Sequence, residues 1–298
     1  MFRVEHFDNQ IQIYSRMFPG EQFITRIISM GKIIAICNQK GGVGKTTTSI
    51  NLAAYLAMAG KKVMLIDLDP QANATSGIGV NKHDIQKSTY HILLEEAKFS
   101  DILQKTMIAN LMLAPSNLDL TGAEVELVGA LGREYRLKRA LQLEKDNYDF
   151  MIIDSPPSLG LLTINGLCAA DSVIIPVQCE YYALEGLTQL HNTIRLVKEN
   201  LNPSLSIEGV LLTMADFRTN LTKEVIQEAR KHFNEKVYVT VIPRNIRLTE
   251  APSFGQPIAL YDRDSLGAQK YEDLSREVLG LPLNSKIGTA STEKDMKH

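Results

Sequence analysis

Seven short runs of almost unbroken apolar residues recur along the chain. They are Ile33-Ile34-Ala35-Ile36-Cys37, Val63-Met64-Leu65-Ile66, Leu111-Met112-Leu113-Ala114, Phe150-Met151-Ile152-Ile153, Val173-Ile174-Ile175-Pro176-Val177, Val210-Leu211-Leu212-Thr213 and Val237-Tyr238-Val239-Thr240-Val241. Runs this short, without polar alternation, read as strands buried on both faces. Between them, mixed apolar and polar segments predict helices at about 46–59, 133–145, 160–169, 183–200, 222–233 and 264–279. Strands alternating with helices predict an α/β fold, a mostly parallel twisted sheet with helices on both faces. No internal repeat and no linker rich in Pro, Gly or Ser divides the segment 30–280, which reads as one domain.

The ends of the chain read differently. Residues 1–29 mix Arg3, Arg16 and Arg26 with Glu5, Asp8 and Glu21 and hold no continuous apolar stretch, unlike a secretory signal or a transit peptide. Met30 opens Met-Gly-Lys-Ile-Ile-Ala-Ile directly before the first strand, so 1–29 is read as an upstream extension from start-site choice. Residues 281–298 are polar and are expected to be a disordered tail. No apolar run approaches the roughly 18 residues of a membrane span, and no membrane anchor is expected. A net charge of −2 provides no overall attraction to nucleic acid, so any such binding must come from a local patch. Cys37, Cys168 and Cys179 form no C-x-x-C pair, which argues against a disulfide framework, structural zinc or a cysteine-held cluster and fits a reduced cytoplasm.

The chemistry concentrates where the first strand ends. Residues 40–47 read Lys-Gly-Gly-Val-Gly-Lys-Thr-Thr, a glycine-rich turn between a strand and a helix. Such a turn aims backbone N–H groups and a helix N-terminus at a phosphate chain. The ordinary P-loop would place glycine at position 39, where this chain has Gln39, and the chain adds a second lysine, Lys40. This is a deviant P-loop. Gly41, Gly42 and Gly44, with Val43 between them, let the backbone approach phosphate oxygens. Lys45 is expected to reach the β- and γ-phosphates, Thr46 to ligate Mg²⁺ and Thr47 to bond near the α-phosphate. Lys40 comes too early in the loop to share the role of Lys45 and is expected to project toward a second subunit.

Two more motifs close apolar strands, where open α/β sheets hold their ligands. Asp154-Ser155-Pro156-Pro157 follows the fourth run, and its aspartate suits the holder of nucleotide-bound Mg²⁺. Asp67-Leu68-Asp69-Pro70-Gln71 follows the second. Two residues apart in extended chain, Asp67 and Asp69 share a side and are both expected to face the nucleotide, one of them positioning the attacking water.

Lys40 to Thr47, Asp67-x-Asp69-Pro70-Gln71-x-Asn73 and Asp154-Ser155-Pro156-Pro157-Ser158 together resemble the ParA/Soj partitioning ATPases, of the branch that also holds MinD and the nitrogenase iron protein. The resemblance continues through Pro176-Val177-Gln178-Cys179-Glu180-Tyr181-Tyr182-Ala183-Leu184-Glu185-Gly186 and Val241-Ile242-Pro243-Arg244-Asn245 and ends near Leu279. It implies a Mg²⁺-dependent ATPase whose ATP-bound homodimer binds DNA without sequence preference and partitions chromosome or plasmid DNA with a ParB-like protein, in the cytoplasm at the nucleoid. By that resemblance Lys40 contacts the partner's phosphates, Asp69 supports water attack, Pro243, Arg244 and Asn245 hold adenine, and Glu180 touches ribose. Arg218 and Arg247 match the positions that contact DNA, with Lys223, Arg230 and Lys231 extending the strip. The competing functions are a ParA-like ATPase that positions a protein cargo, a MinD-like membrane-associated regulator, an iron–sulfur carrier and an ATP-dependent ligase. The tail lacks the basic amphipathic stripe a MinD-like anchor needs.

Overall fold

The computed structural model describes residues 31–180 and 183–283, without the side chains of 183–189. The expected extension over 1–29, Tyr181, Tyr182 and the tail from 284 onward lie outside the described residues. The strands are β1 (Lys32–Ile36), β2 (Val63–Asp67), β3 (Gln104–Lys105), β4 (Leu111–Ala114), β5 (Phe150–Asp154), β6 (Ser172–Gln178), β7 (Ser206–Ala215) and β8 (Val237–Pro243). They form one sheet in the order β3-β4-β2-β5-β1-β6-β7-β8. Every pairing is parallel except β3 with β4. The mostly parallel sheet expected from the apolar runs is therefore present. The eighth strand, β3, is two residues long at the sheet edge and is absent from the apolar pattern because Gln104 and Lys105 are polar.

The helices are α1 (Lys45–Met58), α2 (Asn73–Gly77), α3 (Thr89–Leu93), α4 (Phe99–Ile102), α5 (Leu120–Glu126), α6 (Arg136–Gln142), α7 (Leu161–Ala169), α8 (Ala183–Asn200), α9 (Asn220–Phe233), α10 (Ile246–Glu250), α11 (Ile258–Tyr261) and α12 (Leu266–Val278). Strand parity divides the core in two. In β1, Ile33 and Ala35 join the apolar cluster under α5 to α9, whereas Ile34 and Ile36 join the cluster under α1 and α12. Each fully buried Ile or Leu adds about 1.5–3 kcal/mol to the fold.

The same parity places the chemistry. Ile36, Asp67 and Asp154 lie side by side on β1, β2 and β5. Asp154 alternates with Ile153, so it points toward the face that α1 covers. The strand order also reverses at β1, with β5 on one side and β6 on the other, and such a switch point opens a crevice at the strand C-termini. The glycine-rich loop leaves β1 at that crevice.

Candidate nucleotide site

The loop from Cys37 to Gly44 is shaped by its own chain. Asn38 donates from Nδ2 to the Pro176 carbonyl at 2.7 Å and accepts the Lys40 N–H at 3.0 Å, tying the loop to β6. Thr213 Oγ1 donates to the Val43 carbonyl at 2.9 Å, tying it to β7. Gly42 and Gly44 have φ of 74° and 90°, left-handed conformations that disfavour any residue with a Cβ. An added Cβ on Gly41 or Gly42 would meet no protein atom within 4 Å. Gly41 and Gly42 thus border open space.

Lys45 opens α1 and is 6% exposed. Its Nζ donates to the Lys40 carbonyl at 3.0 Å. Burial pulls its pKa down, and the charges of Asp154 and Asp69 oppose that. Asp154 is fully buried at the end of β5, and its Oδ1 accepts the Ser49 hydroxyl from α1 at 2.8 Å. Its Oδ2 is buried without a hydrogen-bond partner among the described residues. Burial pushes this carboxyl well up, the Asp67 charge adds to the rise, and the Ser49 and Thr46 hydroxyls oppose it. A buried carboxylate oxygen lacking a donor, beside a threonine hydroxyl, fits Mg²⁺, a hard cation that prefers oxygen and retains waters. Thr46 and Asp154 are the residues suited to hold it.

The two aspartates of the second motif part ways. Asp67 does not face the nucleotide space. Its Oδ1 accepts the Asp69 N–H at 3.1 Å and its Oδ2 accepts Thr75 N–H and Oγ1 at 2.8 and 2.7 Å. These bonds anchor α2 to β2 and correct the expectation that both carboxylates face one way. Burial pushes the Asp67 carboxyl up to about 6, opposed by the hydrogen bonds from the Thr75 hydroxyl and the Thr75 and Asp69 N–H groups. Asp69 is 7% exposed, and its Oδ1 accepts the Gln71 N–H at 2.9 Å, fixing the turn around Pro70.

On the other flank of α1 lies a cleft of about 360 Å³ lined by Gly44, Thr47, Thr213, Met214, Pro243, Arg244, Asn245 and Tyr271, among others. Thr47 and the Pro243–Asn245 stretch meet here. Met214 and Thr213, Leu248 and Tyr271 also line it and carry no signal in the motifs. Their one sequence clue is position: Thr213 and Met214 end β7, at the same edge as the loop. Met214 has φ of 52°, a left-handed conformation unusual for a residue with a Cβ.

Lys40 is half-exposed, with Nζ 3.3 Å from Glu180 Oε2. Glu180 also accepts Gln178 Nε2 at 2.5 Å and lies 4.0 Å from Arg244 Nη2. It therefore stands at the cleft rim between two cations. Arg218, in the turn after β7, and Arg247, on α10, both carry carboxylate partners. Arg218 pairs with Asp216 at 2.6 Å, and Arg247 pairs with Glu250 at 2.9 Å and Asp262 at 3.2 Å. All three cysteines are buried in the apolar interior or at the loop and free.

Comparison with known proteins identifies the chain's relatives. The AAA domain family matches residues 31–207. The sporulation initiation inhibitor protein Soj of Bacillus subtilis strain 168 is 63% identical over 249 residues, 84% of this chain and 98% of that protein. The chromosome partitioning protein ParA of Myxococcus xanthus strain DK1622 is 54% identical over 251 residues, 84% of this chain and 89% of that one. Among solved structures, a cobyrinic acid a,c-diamide synthase from Mycobacterium smegmatis with bound ADP and magnesium has a TM-score of 0.75 and 38% identity, covering 84% of this chain and 94% of that chain. Identity of the extent seen with Soj, running across nearly all of that protein, makes this chain a member of the ParA/Soj family of chromosome-partitioning ATPases.

Proposed function

We propose that two copies of this chain close around two ATP molecules, and that the closed dimer grips DNA and releases it after hydrolysis. The observation that carries this reading is the convergence of a buried Lys45, Asp154 with an unpartnered oxygen, and Asp69 at one end of the sheet. The phosphates would lie along Gly41 to Thr47, drawing Lys45 Nζ away from the Lys40 carbonyl. Adenine would occupy the cleft between Pro243–Asn245 and Met214. Mg²⁺ on Thr46 and Asp154 would neutralise the charge of the β- and γ-phosphate oxygens.

Asp69 would accept a hydrogen bond from the attacking water and hold it in line with the bond to the leaving ADP. Lys40 would leave Glu180 and reach the partner's phosphates, as an arginine finger does. Glu180, freed from Lys40, would take up a ribose hydroxyl. Arg218 and Arg247 from both subunits would face DNA phosphates, and a ParB-like protein would stimulate hydrolysis at the closed interface. These roles place the protein in the cytoplasm at the nucleoid. Among the described residues no helix is long and apolar enough to cross a membrane.

The test is sedimentation velocity of the Asp69→Ala protein with Mg²⁺ and ATP, ADP or no nucleotide. A dimer with ATP and a monomer in the other two conditions supports the reading, and a monomer in all three defeats it. An amide-forming ligase is the second reading, favoured by the M. smegmatis likeness. A ligase couples ATP cleavage to an acid substrate. Steady turnover raised by DNA, with no small acid added, separates the two.

A further inference from the structure

Arg218 is 88% exposed at its side chain, yet its guanidinium is occupied. Nε donates to Asp216 Oδ1 at 2.8 Å and Nη2 donates to Oδ2 at 2.6 Å, the two-pronged fit that a guanidinium would also offer a phosphate. The carboxylate does not depend on that side chain for its position. Asp216 Oδ1 also accepts the Arg218 N–H at 3.1 Å, and its carbonyl accepts Thr219 N–H and Oγ1 at 3.1 and 2.9 Å. Asp216 is thus built into the turn between β7 and α9, and Arg218 folds back onto it. The Arg218 guanidinium holds the Asp216 carboxyl down at about 2, so it is charged at every working pH.

We propose that Asp216 is the counter-charge that a DNA phosphate must displace from Arg218, which makes each arginine contact an exchange and keeps the grip on DNA weak and quickly reversible. This rests on the DNA-binding reading above. When phosphate takes the arginine fork, Asp216 is left beside a second anion. It then recruits a cation from solution and offsets one of the counterions released from the DNA. The dimer consequently shows a shallower salt dependence than its number of arginine contacts implies. A dimer whose job is to bind DNA repeatedly gains from contacts that exchange rather than lock.

Asp216→Asn tests this, because the amide keeps an oxygen acceptor for the turn and removes the charge. Affinity of the ATP-loaded dimer for a random-sequence duplex is measured over a salt series, with the dimer fraction read by sedimentation in the same buffers. The variant is expected to bind on the order of tenfold tighter at physiological salt. Its salt slope is expected to steepen by about one ion per subunit. Asp216→Ser, a second neutral acceptor, moves affinity in the same direction. Adding Arg218→Ala to Asp216→Asn abolishes the gain. Asp146→Asn, an equal charge change at an exposed position preceding β5 at the opposite end of the sheet, produces little. Unchanged affinity and slope in Asp216→Asn overturn the proposal, as does an equal gain in Asp146→Asn or in the double variant. A parental ATP dimer that binds no DNA at any salt overturns the DNA-binding reading itself, a result separable from those.

Discussion

Two lysines five residues apart hold different places, and the difference is testable one residue at a time. Lys45 is buried in the loop and already donates to a backbone carbonyl, whereas Lys40 stands at the rim beside Glu180. By the proposed roles, Lys45→Ala would remove a charge on the bound phosphates of its own subunit. Nucleotide affinity is expected to fall by tenfold or more, read by calorimetry, since a charge-assisted hydrogen bond contributes about 1.5–3 kcal/mol. Lys40→Ala is expected to keep nucleotide affinity and lose the ATP dimer's turnover. Asp69→Ala is expected to keep binding and dimerisation while slowing hydrolysis on the order of a hundredfold or more, as loss of a positioned acid–base group does. Mixing Lys40→Ala with Asp69→Ala chains creates dimers with one composite site free of both lesions. Recovered ATPase activity in the mixture supports a lysine acting across the interface, and none at all places Lys40 in its own subunit's site.

At the scale of elements, α1 carries the phosphate loop and is braced from the far end of the sequence. Tyr271 of α12 shares a buried hydrogen bond of 3.1 Å with Thr48 of α1, and Asn51 Oδ1 accepts the Ile258 N–H at 2.8 Å. Tyr271→Phe is expected to cost about 1 kcal/mol, seen as a lower melting temperature. Burial raises the Tyr271 pKa above that of a free tyrosine. Its contribution to stability is therefore complete below the unfolded value near 10 and is lost as pH climbs from there toward the folded value. The melting temperatures of the parent and Tyr271→Phe are expected to keep their difference below about pH 10 and to converge as pH rises above it.

The strands that carry the loop and both motif aspartates were legible because parallel strands buried on two faces leave unbroken apolar runs. Short elements were not: α2, α3, α10 and α11 span five residues or fewer, too few to show a helical period. The lining of the cleft was half legible for a related reason. Met214, Leu248 and Tyr271 come from three separate elements, and only the folded chain brings them together. The different fates of Asp67 and Asp69 were hidden as well, because the hydroxyl that claims Asp67 belongs to Thr75, in the first turn of the next element.

For the whole molecule, a net charge of −2 makes the proposed DNA grip a property of assembly. Replacing Arg218 and Arg247 together by alanine removes about four phosphate contacts per dimer, each contributing at most roughly −0.9 to the slope of log affinity against log salt and less at Arg218, where Asp216 takes a cation back. Flattening of that slope with the ATP dimer retained is the expected result, whereas an unchanged slope assigns the contact to another surface. Binding is expected to ignore base sequence, since both arginines would meet phosphates rather than base edges. The central claim is that ATP, through the dimer, switches DNA binding on. It is tested most directly by co-sedimenting the unmodified protein with random-sequence duplex DNA at one salt concentration, with Mg²⁺ and either ATP, ADP or no nucleotide. The account predicts DNA-bound protein with ATP and free protein in the other two samples. Equal binding in all three, or none in any, would contradict it.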